Sequence, residues 1–143
     1  MTDDRDQMDH EITGSKVLIV EDGPDNLHLL ELFFETSGFT RVHATSDARN
    51  VEELVRELEP ELVLLDLHMP HVNGIELMRR ITNTVDRRIP MIVTSGDLSP
   101  ENRKAGKEAG ATDFLGKPYE MGALRMKVER ALGQTRGGAD PSA

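Results

Sequence analysis

Asp66 ends the apolar run Leu62-Val63-Leu64-Leu65, and an acidic pair, Glu21-Asp22, ends the similar run Lys16-Val17-Leu18-Ile19-Val20. Buried strands are short continuous runs of branched apolar residues, and in open α/β sheets ligands bind beyond the carboxyl ends of the strands. If these two strands are neighbours, three carboxylates converge on one spot. Such a cluster repels itself unless a cation holds it together, which points to a divalent-metal site beside a candidate nucleophilic aspartate. Two further strand ends contribute Thr94-Ser95-Gly96 and Lys117-Pro118. Each type has a task in phosphoryl transfer. Hard oxygen ligands fix Mg²⁺, a lysine neutralises charge on the moving group, a hydroxyl donates to an equatorial oxygen, and the remaining carboxylate attacks phosphorus.

Positioning these groups requires strands with their carboxyl ends on one edge, and the chain alternates in that sense. Strand-like runs fall at about 16–20, 40–44, 61–65, 90–94 and 111–116, separated by segments long enough for helices. Helical spacing predicts a first helix over 25–37, with Leu27, Leu30 and Phe34 accompanied by Leu29 and Phe33, and with Gly38 as its C-terminal cap. A second helix over 47–58 uses Val51, Leu54, Val55 and Leu58 and stops before Pro60. The third, over 74–84, uses Ile75, Leu77, Met78 and Ile81. Ser99-Pro100-Glu101 starts the fourth, with serine as N-cap and proline in the first turn, and Gly110 closes it. The last, over 120–132, presents Leu124, Val128, Ala131 and Leu132. Five βα repeats imply a parallel sheet covered on both faces.

With 143 residues, 37% of them apolar, the chain is the size of one ordinary domain. A formal charge of −9 without a basic stripe argues against a nucleic-acid surface. The absence of cysteine excludes disulfides, zinc-thiolate sites and a catalytic thiol, and makes a cytoplasmic location the expectation. No run approaches membrane-spanning length, so no membrane partner is expected. Residues 1–14 and 134–143 carry few apolar side chains and are expected to be disordered tails around a domain at 15–133.

The set Glu21-Asp22, Asp66 with Met69-Pro70 and Gly74 behind it, Thr94-Ser95 and Lys117-Pro118 resembles the receiver domain of bacterial two-component response regulators. The resemblance covers about 16–132. It implies a flavodoxin-like (βα)5 fold with a five-stranded parallel sheet in order 2-1-3-4-5. It also implies that Asp66 is the phospho-acceptor, Asp22 a direct Mg²⁺ ligand, Glu21 an acid acting through water, and the His68 backbone carbonyl a third protein ligand. Thr94 and Lys117 would contact phosphoryl oxygens, and Phe114 would be the switch aromatic that turns inward when Thr94 is drawn to the phosphoryl group. The Lys117-Pro118 peptide is expected to be cis. A sensor histidine kinase or a histidine phosphotransfer protein would be the donor. Output would pass to a protein docking near the fourth helix and fifth strand, where Arg103, Lys104 and Lys107 lie. The reading is a stand-alone, non-enzymatic regulator, monomeric or dimerising on phosphorylation.

Some positions vary from the commonest family pattern: Asn73 stands where Asp is frequent, Tyr119 where Phe is, and Glu21 where Asp is. None removes a needed group. His68 and Gly96 fall where the family tunes phosphoryl lifetime. Taken singly, each motif is ordinary: an acidic pair is commonly a helix cap, Lys-Pro a turn, Phe114 plain core, and His68 with His71 a solvated loop rather than a transition-metal site. The combination carries the specificity. A phosphatase forming an aspartyl phosphate needs a second acid two residues after the nucleophile, where this chain has His68. An interaction module that had given up phosphorylation would be expected to lack Asp66, Asp22 or Lys117, and all three are present.

Overall fold

The computed structural model describes residues 10–69 and 72–136. In chain order its first half comprises α1 (His10–Thr13), β1 (Val17–Val20), α2 (Pro24–Thr36), β2 (Val42–Thr45), a 3₁₀ turn (Ala48–Asn50), α3 (Val51–Leu58) and β3 (Leu62–Asp66). The second half comprises β4 (His68–Met69), β5 (Val72–Asn73), α4 (Gly74–Thr84), β6 (Met91–Ser95), α5 (Pro100–Ala109), β7 (Asp113–Gly116) and α6 (Met121–Arg136). Five strands form one parallel sheet in the order β2-β1-β3-β6-β7. With the short β4–β5 hairpin set aside, this is the expected 2-1-3-4-5 order.

Strand side chains alternate between faces, so each central strand feeds two cores. On one face Leu18, Val20, Val63, Leu65 and Val93 meet Val51 and Val55 of α3 and Leu77, Met78 and Ile81 of α4. On the other, Val17, Ile19, Leu62, Leu64 and Ile92 meet Leu30 and Phe34 of α2 and Leu124, Val128 and Leu132 of α6. The continuous apolar runs of β1 and β3 follow directly from burial on both faces. At about 25 cal/mol per Å² of apolar surface, these two layers supply the main drive that holds the strand ends in register.

Local signals set the helix limits. The Ser99 hydroxyl accepts from the Asn102 N–H at 3.2 Å, Pro100 follows, and α5 ends at Gly110, whose φ of 117° suits a residue without a Cβ. Asn73 caps α4 by accepting from the Ile75 N–H at 2.9 Å.

Three expectations need correction. The expected tail 1–14 already has structure from His10: α1 lies against α6, Ile12 packs on the second core, and the Ser15 N–H donates to the Ile12 carbonyl at 3.0 Å. Ile12 packs on that core while Thr13 and Ser15 are buried beside it, so this turn has a surface to lie on. At the other end, α6 runs past Gly133 to Arg136, because extending an existing helix is far easier than nucleating one. Residues 1–9 and 137–143 lie outside the described residues. The segment expected as one helix over 47–58 begins as a 3₁₀ turn, with Asp47 accepting from the Arg49 N–H at 3.0 Å.

Candidate functional site

Register decides which strand ends meet. Val20 pairs with Leu65 across β1 and β3, so Glu21 and Asp22 leave their strand beside Asp66. Asp66 itself pairs with Thr94 across β3 and β6, and Ser95 pairs with Gly116 across β6 and β7. The ladder continues one step beyond: the Leu67 N–H donates to the Thr94 carbonyl at 2.9 Å, and the Lys117 N–H to the Ser95 carbonyl at 2.8 Å. Four strands therefore deliver three acids, a hydroxyl and an ammonium to one edge. The Lys117–Pro118 peptide bond is cis, as expected.

Carboxylate oxygens of Glu21, Asp22 and Asp66 lie within 4.8 Å of one another. Glu21 and Asp66 are almost wholly buried, with 1% and 4% of their surface exposed, whereas Asp22 is only partly covered. Lys117 bridges the buried pair: its Nζ is 3.0 Å from Asp66 Oδ2 and 2.9 Å from Glu21 Oε1. The other Asp66 oxygen, Oδ1, accepts from the His68 N–H at 3.0 Å. Glu21 Oε2 accepts from the Gly23 N–H at 3.2 Å, and Glu21 Oε1 also accepts from the Tyr119 hydroxyl at 3.0 Å.

These contacts set the charges. Burial pushes the Asp66 carboxyl up, and the neighbouring Glu21 adds to this, while Lys117 and the His68 N–H pull the other way; the result is a raised value of about 6. Burial also acts upward on Glu21, but hydrogen bonds with Asp66, Lys117 and Gly23 outweigh it and leave Glu21 below the usual carboxylate range. Burial alone lowers the Lys117 ammonium, and the two carboxylates more than restore it. The pair thus holds a proton more readily at Asp66 than at Glu21.

The donor set is all hard oxygen, and among the described residues no histidine side chain joins it. That composition fits Mg²⁺ and does not fit zinc. His68 sits in β4 with its side chain exposed. Pro70 and His71, named with the site from the sequence, lie outside the described residues. Gly96, two residues beyond Thr94, is exposed, and a Cβ there would meet nothing within 4 Å.

Thr94 is buried under the site, and Phe114, on β7 opposite Val93, is half-buried with the Arg103 guanidinium 5.7 Å from its ring centre. A Cβ on Gly106 would stand 2.7 Å from the Phe114 ring, so only glycine lets α5 pass this close. The contact sequence reasoning missed is Tyr119 with Glu21. Its only sequence signal was a tyrosine where the family often has phenylalanine.

Residues 17–129 match the response regulator receiver domain. The transcriptional regulatory protein PrrA of Mycobacterium bovis is 34% identical over 125 residues, covering 87% of this chain and 53% of PrrA. The chain therefore spans about half the length of such relatives. Among solved structures, the receiver domain of a Francisella response regulator has 26% identity and a TM-score of 0.75, covering 85% of this chain and 99% of that one. The receiver domain of a sensor histidine kinase of Pseudomonas aeruginosa, described with a magnesium ion in its active-site cleft, has 26% identity and a TM-score of 0.76, covering 84% and 98%. With its family match, parallel sheet and acidic edge in agreement, the chain belongs to the response regulator receiver domains of two-component signalling.

Proposed function

We propose that this protein accepts a phosphoryl group on Asp66 from a phosphohistidine donor and signals through the resulting change in shape. One observation carries the reading: the Asp66 carboxylate lies within 4.8 Å of two further acids and 3.0 Å from a lysine ammonium, opposite a threonine on the next strand. Receiver domains bind Mg²⁺ at such an acidic cluster. Asp22 and Asp66 would hold it directly, Glu21 through water, and the His68 backbone carbonyl would complete the protein ligands. Bound there, the cation would offset charge among the acids and on the phosphoryl oxygens.

Asp66 forms a P–O bond as the P–N bond to the donor imidazole breaks, and the departing imidazole takes up a proton. Lys117 turns from Glu21 and Asp66 to the new phosphoryl oxygens, and the Thr94 hydroxyl donates to another. Moving Thr94 changes the packing between β6 and β7, which gives Phe114 a reason to leave its place between Arg103 and Gly106. The altered surface at α5 and β7 is where an output protein would dock. No helix among the described residues is long and apolar enough to cross a membrane. We place the protein in the cytoplasm, receiving from a sensor histidine kinase or a phosphotransfer protein.

The test is chemical labelling. A small acyl-phosphate donor with Mg²⁺ should add one alkali-labile phosphoryl group, at Asp66, measured by intact mass. Equal labelling of Asp66→Asn, or labelling indifferent to chelator, would remove the proposed chemistry.

A further inference from the structure

Tyr119 is the chain's one tyrosine, and the chain has no tryptophan. Its ring packs against the core formed with α2 and α6, and its hydroxyl reaches back into the site to donate to Glu21 Oε1 at 3.0 Å. Phenylalanine would fill the same space. What tyrosine adds is one donor aimed at a buried carboxylate that borders the cation position.

The arrangement around Glu21 shows what that donor does. Oε2 is held by the Gly23 N–H at 3.2 Å, and Oε1 is shared between Tyr119 and the Lys117 ammonium at 2.9 Å. Lys117 is the partner that must leave, because it is the ammonium within reach of the incoming phosphoryl group. Once it turns away, a phenylalanine would leave Oε1 without a protein donor and the carboxylate free to rotate. With tyrosine, both oxygens stay held. The Thr94 hydroxyl lies beside the Tyr119 oxygen, whose one proton is already given to Glu21, leaving lone pairs to accept.

We propose that the Tyr119 hydroxyl is a positioning group for the metal site: it holds the Glu21 carboxylate aimed at the cation, together with Lys117 at first and as the remaining side-chain donor once Lys117 departs. The inference rests on the phosphorylation reading above and adds to it a hydroxyl that the commonest family pattern lacks. A hydrogen bond of this kind is worth enough to change Mg²⁺ affinity about three- to ten-fold.

The test has two arms. In the first, Mg²⁺ is titrated into wild type and Tyr119→Phe, following the amide resonances of Gly23 and Leu67; the variant should keep the wild-type spectrum far from the site and bind Mg²⁺ about three- to ten-fold more weakly. The second arm leaves Tyr119 in place and uses its emission, excited beyond the phenylalanine absorption and quenched by a carboxylate acceptor; with one tyrosine and no tryptophan in the chain, that signal reports on this site alone. Glu21→Gln should brighten it in chelator, and Mg²⁺ should change the wild-type signal with the dissociation constant found by resonance. Wild-type affinity in Tyr119→Phe, or emission indifferent to Glu21→Gln, overturns the role of Tyr119 and leaves phosphorylation of Asp66 standing. A wild type that neither binds Mg²⁺ nor takes label at Asp66 overturns both.

Discussion

The Lys117 ammonium donates to Asp66 Oδ2 at 3.0 Å across 51 positions of sequence, and the same nitrogen sits 2.9 Å from Glu21. Three acids were expected to repel one another in the absence of a cation. Instead the lysine stands between the two buried ones, and the repulsion is answered from within the protein. A site built this way can stand without metal, its two buried acids paired by its own lysine.

Lys117→Met therefore removes a structural charge as well as the proposed phosphoryl contact. In chelator near neutral pH it should cost about 2–4 kcal/mol, because it leaves two facing buried carboxylates unpaired. The loss should shrink by about pH 5, where a proton on Asp66 takes over part of the lysine's task. Urea unfolding at the two pH values checks this; equal losses at both would mean that the ammonium does not serve the carboxylates.

Asp66 itself carries a pH signature. Its value rises from an ordinary 3.8 to about 6 in the folded protein, chiefly through burial. A raised carboxyl binds its proton more tightly folded than unfolded, so its contribution favours folding at low pH and is lost as pH rises from about 4 to about 6. In chelator Asp66→Asn should match wild type near about pH 3 and become about 2–3 kcal/mol more stable than wild type above about pH 7. Melting curves across that range give the answer, and a variant less stable at high pH would reverse the assigned sign.

Asp22 differs from its neighbours in being only partly covered. Asp22→Asn should change stability in chelator by less than about 0.5 kcal/mol, as surface substitutions do. It should nonetheless diminish the rise in melting temperature that millimolar Mg²⁺ gives the wild type, since mass action needs a site to act on. An undiminished Mg²⁺ shift would take Asp22 out of the ligand set.

Thr94→Ala should separate chemistry from output. The nucleophile, the acids and Lys117 remain, so labelling at Asp66 should persist. Amide shifts along α5 and β7 should not reach the pattern of the phosphorylated wild type. Identical patterns in the two phosphorylated proteins would uncouple Thr94 from the switch.

Gly106 tests where Phe114 goes. A Cβ there would stand 2.7 Å from the ring, so in the unphosphorylated protein Gly106→Ala should cost about 1–3 kcal/mol in overpacking, offset by about 1 kcal/mol of helix propensity. If phosphorylation draws Phe114 inward, the penalty is relieved, and the gap in melting temperature between variant and wild type should narrow after phosphorylation. A constant gap would fix the ring where it now lies.

The sequence by itself determined the five strands of the main sheet, the helices between them and the chemical inventory. Runs such as Leu62-Val63-Leu64-Leu65 can be satisfied only by burial on both faces, and Ser99, Pro100 and Gly110 mark the ends of α5 through bonds spanning a few residues. Such signals are local, so they survive in the bare order of residues. Placing the acids, Thr94 and Lys117 at strand ends also made the site legible, because a parallel sheet brings those ends to one edge.

Only the tertiary structure decided which groups pair. That Asp66 faces Thr94 rather than Ser95 depends on the register of β3 and β6, and that Tyr119 donates to Glu21 joins positions 98 apart. The order at Ile12 likewise needed a surface on α2 and α6 against which to pack. Contacts of this kind bring together residues that are remote in the chain. Their energy comes from burial and charge neutralisation in the assembled fold, and no local spacing records it.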